Sequence, residues 1–477
     1  MHLLNKTKYL LHKYNIRPNK RLGQNFCVDS QLFERMVAYA NLCSDDIVLE
    51  VGSGFGFLTC LLTNTAKRVF AVELDPKLVT HLKSHLADRD NVTIIPGNIL
   101  NMEIPPFNKV VANIPYAISS PLITYLLMKS LDCAVLTLQK EFATRLTAQV
   151  GTKKYGFLAV VTDYKASVDV LEPVSKEAFY PPPQVESVVV VIKTCDPRFD
   201  VYDERLFLRL IKHLFTQRRR IARKPFEAFL QKEARIGKTE ARLVIEGIPL
   251  VGKRVCDMKP EDFGVLANEV YPFLQGKKIA FKNRRLYVFP EVYEPCDDSF
   301  LLANCLDVKK GERVLDIGTG CGLLGILAAE KAESVIATDV NPHALRCTEF
   351  NAKLNSVADK VVVVLSDIFS ALGERDKFDS IIFNPPYLPM DGRVRSSAWI
   401  ERAWYGGVDG REVIDRFIKN VRAHVSENGK VIMVQSSLSN PDTSLKLLRD
   451  RGFETDIVAE KELFFETLVV IRARYLR

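Results

Sequence analysis

An apolar run that ends in three alternate glycines occurs twice in this chain. "IVLEVGSGFGFLT" carries Gly52, Gly54 and Gly56, and "RVLDIGTGCGLLG" carries Gly318, Gly320 and Gly322. Glycines at alternate positions after a strand let the backbone turn tightly and approach a ligand closely before a helix begins. The feature therefore confines each segment to the opening strand, turn and helix of a parallel α/β sheet. The segments downstream of the glycines repeat as well. The next strand closes on an acid 21 residues after the first glycine each time, Glu73 in "RVFAVELD" and Asp339 in "SVIATDVN". A third strand ends at Asn98 or Asp367, 46 and 49 residues on, and an N-x-P-Y signature (Asn113 to Tyr116, Asn384 to Tyr387) comes at 61 and 66. One N-x-P-Y is cheap, since Asn and Pro are ordinary loop residues. Two copies at matching places mean two domains of one type.

Each element of the series has a chemical task. An acid about 20 residues past the glycines, at the end of the second strand, accepts both hydroxyls of a ribose. The ligand is then an adenosine-containing cofactor over the carboxyl ends of the strands. A dinucleotide-binding oxidoreductase shares the glycines and the acid, but hydride transfer gives no reason for N-x-P-Y after the fourth strand. That loop suits a different problem. A base amine or a carboxamide nitrogen is a poor nucleophile, because its lone pair is delocalised into a planar π system. The Asn side-chain oxygen and the carbonyl of the next residue, Ile114 or Pro385, form an acceptor pair for its two N–H groups. Proline fixes φ and holds those carbonyls in place, and the Tyr ring offers a face for a planar substrate. Orientation and electrostatics supply the effect without a strong base. Both halves are expected to be N-methyltransferases using S-adenosylmethionine.

Charge separates the halves. From Arg284 to the end there are 26 Lys and Arg against 29 Asp and Glu, whereas residues 1–283 hold 40 against 29. The basic part suits nucleic acid and the near-neutral part a protein. Ten cysteines lie singly from Cys27 to Cys347 with no C-x-x-C. That pattern argues against a zinc ribbon or other metal site and for reduced thiols in a cytoplasm. No window reaches the roughly 18 apolar residues of a membrane span. The basic N-terminal stretch lacks the apolar core of a secretory signal.

"RLGQNFCVDS" (21–30), "LEVGSGFGFLT", "VANIPYAISSPL", "LQKEFATRL" (138–146) and "AFYPPPQVESVVV" (178–190) resemble the KsgA family of small-subunit ribosomal RNA adenine dimethyltransferases. "FTQRRRIARK" (215–224) and "IPLVGKRVCDMKPEDFGVLAN" (248–268) continue the resemblance over nearly all of residues 17–270. It implies dimethylation of the N6 atoms of two adjacent adenosines near the 3′ end of small-subunit rRNA. Asn25, Cys27, Gly52, Glu73, Asn98 and Asn113 would line the cofactor site, with Tyr116 and Phe179 around a flipped base. The third strand of this family usually ends in Asp, and here it ends in Asn98. An Asn oxygen still accepts from the cofactor adenine, so weaker binding is expected rather than none. The departure leaves open a first half that acts mainly as a ribosome-assembly binding factor. The antibiotic-resistance relatives that methylate large-subunit rRNA fit less well, because the resemblance continues past residue 190. Independently of the family, Arg218, Arg219, Arg220, Arg223 and Lys224, with Arg205, Arg209 and Lys212, lie in apolar-periodic stretches and are expected to meet phosphates.

In the second half "VYEPCDDSFLLA" (292–303), "VLDIGTGCGLLG", "FNPPYLP", "AWYGGVDGREVIDRF" (403–417) and "FFETLVV" (464–470) resemble the HemK-type protein methyltransferases, in their short archaeal and eukaryotic branch. N-P-P-Y alone is shared with nucleic-acid methyltransferases, so a nucleic-acid or a protein lysine substrate stays open on that motif. The full set implies methylation of the glutamine of a Gly-Gly-Gln motif in a class I translation release factor. Ser299, Asp316, Gly318, Asp339, Asp367 and Asn384 would hold the cofactor, and Asn384, Pro385 and Tyr387 would present the amide. Relatives of this branch work with a small zinc-binding activator protein that masks an apolar edge.

The expected architecture is α/β. A Rossmann-like class I methyltransferase domain occupies residues 1–195, a small helical RNA-engaging domain 196–270, a junction 271–283 and a second methyltransferase domain 284–477. Each sheet should have about seven strands, mostly parallel, with the last strands a hairpin; "DIVAEKELFFETLVVIRAR" reads as that hairpin in the second copy.

Overall fold

The computed structural model describes residues 3–19, 23–373, 375–390 and 399–476. The chain divides into two compact units, Met1–Phe226 with Leu250–Asn268, and Glu227–Pro249 with Glu269–Arg477. In the first unit the strands in chain order are β1 (Ile47–Val51), β2 (Arg68–Glu73), β3 (Val92–Pro96), β4 (Lys109–Ala112), β5 (Cys133–Gln139), β6 (Ala166–Val174) and β7 (Ser187–Thr194). They lie side by side as β3-β2-β1-β4-β5-β7-β6. The first five are parallel, and β7 runs antiparallel between β5 and β6.

The second unit repeats this with β8 (Arg313–Ile317), β9 (Ser334–Asp339), β10 (Val361–Leu365), β11 (Phe378–Phe383), β12 (Val425–Ser436), β13 (Phe453–Glu462) and β14 (Thr467–Tyr475). Their order is β10-β9-β8-β11-β12-β14-β13, again with five parallel strands and a terminal antiparallel hairpin. The repeat in the sequence is thus a repeat of topology. Strands covered on both faces need continuous apolar runs rather than alternation, and Val48–Val51 and Val314–Ile317 are buried throughout.

The order reverses beside β1 and beside β8, so the crevice at the carboxyl ends of β1, β2 and β4, or of β8, β9 and β11, is open for a ligand. The glycine turn shapes each crevice. All six glycines have φ between 58° and 87°. At Gly56 and Gly322 the constraint is steric too: a Cβ would lie 2.9 Å from Leu82 Cδ2 or from Thr348 Cγ2. The helices Phe57–Leu62 and Leu323–Ala328 begin at the next residue.

Helices within 196–270 fall to both units, Glu204–Phe215 to the first and Lys238–Glu246 to the second. The latter packs on the helix Pro342–Leu354, and its Glu240 pairs with Arg285 at 3.3 Å. Residues 271–275 end the helix Pro260–Gln275, and strand Lys277–Phe281 pairs antiparallel with Arg284–Val288. Among the described residues no helix is long and apolar enough to cross a membrane.

Packing in the second unit centres on a cluster of aromatic rings. Phe417, fully buried, lies 5.6 Å from Phe369 and 4.6 Å from Phe383 between ring centroids. Phe417→Ala should cost about 3–5 kcal/mol through lost burial and the cavity left behind. Both tryptophans, Trp399 and Trp404, are in this unit, so tryptophan fluorescence during denaturant unfolding reports it selectively. A fluorescence midpoint that does not fall in the variant would contradict this core.

Candidate active sites

In the first unit one cavity of about 190 Å³ opens over the carboxyl ends of β1, β2 and β4. Asn25, Cys27, Gly52, Glu73, Asn98, Asn113, Ile114 and Tyr116 all line it. Glu73, at the end of β2, accepts the Gly54 N–H at 2.9 Å on one oxygen and the Leu74 and Asp75 N–H groups at 2.8 and 2.9 Å on the other. Burial raises its pKa and these donors oppose the rise. Asn98 caps the turn that succeeds β3, its oxygen accepting the Leu100 N–H at 3.1 Å. Asn113 donates its amide N–H to the Asn25 carbonyl at 3.4 Å, which leaves the side-chain oxygen as an acceptor. Tyr116 holds its ring by a 2.6 Å hydrogen bond between its hydroxyl and Ser187 Oγ. Cys27 is buried, and that burial pushes its thiol up to about 12, so it is a neutral wall residue.

Phe179 is 2% exposed and lies in the core with Cys27 and Phe33. Of the two aromatic residues expected around the base, Tyr116 lines the cavity and Phe179 does not. Glu50, which the motifs do not single out, is also part of the wall. It is fully buried in β1, with Thr59 Oγ1 donating to it at 2.6 Å, and desolvation pushes its carboxyl up to about 8. The signal is present in the repeat: Glu50 and Asp316 both stand two residues before the first glycine.

The second unit has a matching cavity of about 200 Å³, lined by Ser299, Gly318, Asp339, Asp367 and Asn384. Asp339 repeats Glu73: it accepts the Gly320 N–H at 2.9 Å and the Asn341 N–H at 2.9 Å. Asp316 lies just behind. It takes Thr319 Oγ1 at 2.7 Å and the Gly325 N–H at 2.9 Å on one oxygen, while the other is buried without a partner. Burial pushes its carboxyl up to about 7. Asp367 is paired with Arg416 at 2.6 Å.

Here a second cavity adjoins the first. Tyr293, Asp298, Pro385, Tyr387 and Trp404 line it, and Asn384 belongs to both. Asp298, absent from the residues expected from the sequence, organises this wall. Tyr293 donates to both of its oxygens at 3.1 Å, Tyr387 to one at 3.3 Å and Asn384 Nδ2 to one at 3.1 Å. Asn384 Nδ2 also reaches Ser299 Oγ at 3.1 Å. The Asn384 oxygen is therefore left as the acceptor, as at Asn113. Burial first, then the Asp298 charge, raises the pKa of the Tyr293 and Tyr387 phenols, so both remain hydrogen-bond donors.

The "GGVDGRE" stretch braces this loop. Cβ atoms at Gly406 and Gly410 would lie 2.8 Å from Gly410 Cα and 2.3 Å from the Tyr387 carbonyl oxygen. Buried Arg411 donates to the Ser439 and Asn440 carbonyls at 2.7 and 2.8 Å.

On the first unit, helix Glu204–Phe215 buries Leu206, Phe207, Leu210, Ile211 and Leu214 and turns Arg205, Arg209 and Lys212 outward. Arg219, Arg220, Arg223 and Lys224 are exposed beyond its end. Arg218 is the exception: it donates to the Lys153 and Thr152 carbonyls at 2.6 and 2.9 Å, bracing a loop.

A family model described as ribosomal RNA adenine dimethylase matches residues 15–255, and one described as methyltransferase small domain matches residues 295–400. A probable ribosomal RNA small subunit methyltransferase A of Methanopyrus kandleri is 42% identical over 264 residues, 54% of this chain and 94% of that protein. A solved dimethyladenosine transferase from Plasmodium falciparum is 27% identical and covers 52% of this chain and 96% of its own, with a TM-score of 0.45. The Mtq2–Trm112 complex of E. cuniculi, described as responsible for methylation of the eRF1 translation termination factor, is 25% identical, with 39% of this chain and 98% of its own covered and a TM-score of 0.31.

The residues present fit S-adenosylmethionine in both cavities. Each offers a tethered acid for the ribose and a glycine turn for close approach, and the first adds the buried Glu50 carboxyl on its wall. The open space beside Gly320, where a Cβ would meet no atom within 4 Å, is what such a ligand would fill. A cation in the first cavity favours ionised Glu50, so its pKa falls on binding and a proton is released below about pH 8. Cofactor affinity at the first site should therefore rise from pH 6 to 8 and flatten above. Calorimetric titration of Glu50→Gln should lose that rise; an unchanged pH dependence would sink the assignment.

Proposed function

Because the chain belongs to the ribosomal RNA adenine dimethylase family, we propose that its first half methylates N6 of two adjacent adenosines near the 3′ end of small-subunit rRNA, and that its second half methylates the Gly-Gly-Gln glutamine of a class I release factor. The first half is a ribosomal RNA adenine dimethyltransferase and the second a further methyltransferase domain, and S-adenosylmethionine is the cofactor. It supplies an electrophilic methyl group on a sulfonium.

One observation carries the reading. In each half the amide nitrogen of the motif Asn is taken up from outside the loop, Asn113 by the Asn25 carbonyl and Asn384 by Asp298 and Ser299. The side-chain oxygen and the carbonyl of Ile114 or Pro385 then accept the two N–H groups of a planar nitrogen. Holding both favours the pyramidal nitrogen and frees its lone pair toward the methyl. In the first site Tyr116 offers the ring on which an extruded adenine stacks. The exposed arginines and Lys224 supply the phosphate contacts.

In the second half the two cavities meet at Asn384, so acceptor and cofactor approach it from opposite sides. The slot between Tyr293, Tyr387 and Trp404 suits a flat carboxamide, and the near-neutral charge suits a protein. Within this unit β10 is an edge strand, with Val362 57%, Leu365 58% and nearby Val340 47% exposed. An apolar edge of this kind needs a cover, which is the part we assign to a small zinc-binding activator protein.

Asn113→Ala should abolish dimethyladenosine formation on unmethylated small subunits, read by nucleoside mass spectrometry, and spare methylation of a Gly-Gly-Gln peptide. Asn384→Ala should do the reverse. Loss of both activities in either folded variant would sink the model of independent sites. Replacing Arg219, Arg220 and Arg223 by Ala should weaken subunit binding and lower its salt slope by about two to three. An unaltered slope would remove these residues from the RNA surface.

A further inference from the structure

The acceptor cavity has one wall that this chemistry does not use, the tip of the β13–β14 hairpin. Leu463, Glu466 and Leu468 line the cavity there, beside Tyr387 and Trp404. Glu466 Oε2 is shut off from solvent and has no hydrogen-bond partner. A carboxylate oxygen so placed is costly until an N–H donor reaches it. Asp298, the carboxylate on the facing wall, is already occupied by Tyr293, Tyr387, Asn384 and Ser299. Asp297, which also lines the cavity, is paired with Lys461, so among the described carboxylates there Glu466 is the one with a buried oxygen that has no partner.

The turn beside it is a second, independent observation. Two-residue hairpin turns favour Asn and Gly. Here the turn closes through the Leu463 N–H and the Glu466 carbonyl at 2.8 Å, and its central residues are Phe464 and Phe465. They are 91% and 84% exposed, edge-to-face with each other at 4.6 Å. Two phenylalanines in water at the lip of a cavity mark a surface that another chain covers. Lys461 pairs with Asp297 at 2.8 Å, which ties the hairpin to the segment carrying Tyr293 and Asp298.

We propose that Glu466 is a positioning residue for a protein acceptor: its Oε2 accepts a hydrogen bond from an N–H of the acceptor chain beside the target nitrogen, while Phe464 and Phe465 seat against that chain. The inference rests on the reading of the second half as a protein methyltransferase.

The test is steady-state methylation by the full chain of two peptides, one presenting Gly-Gly-Gln and one with Lys in place of the Gln. Wild type, Glu466→Ala and Glu466→Gln are compared, with cofactor affinity measured in parallel. The wild type should methylate the Gln peptide. Glu466→Ala should raise its KM about tenfold or more with kcat and cofactor affinity within about threefold, and Glu466→Gln, whose amide oxygen still accepts, should restore KM. An unchanged KM in Glu466→Ala overturns the role of Glu466 and leaves the glutamine reading standing. Methylation of the Lys peptide alone overturns the glutamine reading; the KM of Glu466→Ala on that peptide then decides Glu466. A wild type that methylates neither peptide overturns both.

Discussion

The hydrogen bond from the middle glycine of each turn to the acid of the next strand is the tie on which both sites hang. Gly54 donates to Glu73 and Gly320 to Asp339, each at 2.9 Å. A buried carboxylate must be paired, and a turn built of left-handed glycines has N–H groups that need acceptors. Each group solves the other's problem. The bond fixes the turn over the sheet, keeps the acid at the height where a ribose would lie, and sets where the next helix begins. The strands then deliver Asn98 and Asn113, or Asp367 and Asn384, to the same crevice because the order of the sheet leaves no other place for their ends.

On this shared frame the two halves differ in how they hold the motif Asn. In the first, a main-chain carbonyl takes the Asn113 amide and one cavity contains every expected site residue but Phe179. In the second, Asp298 gathers two phenols and an amide along the wall where two cavities adjoin. Under the proposed function, a base needs the face that Tyr116 offers and a side-chain amide the narrower slot of the second half. The charge asymmetry runs the same way, with exposed arginines on the first unit and an apolar, acidic lip on the second.

Several residues that the sequence singled out serve other tasks in the fold. Phe179 belongs to a recognisable signature, yet the pairing of Phe26–Cys27 with Phe179–Tyr180 turns it into the core and leaves Tyr180 half-buried under Lys8. Arg218 reads as one more cation in a basic run and is instead a main-chain brace. Arg411 and the glycines of "GGVDGRE" serve the position of Tyr387 and its loop.

What the sequence determined by itself was the frame: the glycines, the acid 21 residues on, the two N-x-P-Y loops and the closing hairpin, because strand periodicity and backbone turns are local and leave fixed spacings. It also carried Glu50 and Asp316 in register, though their burial, and so their altered protonation, was set by the sheet. Only the tertiary structure decided that Asp298 and Asn384, 86 residues apart, share a hydrogen bond, that Phe179 is core, and that Glu466 lines the cavity beside Tyr387 without a partner for its Oε2. Those outcomes depend on which side chains meet across the fold, and no local spacing encodes a meeting between distant segments.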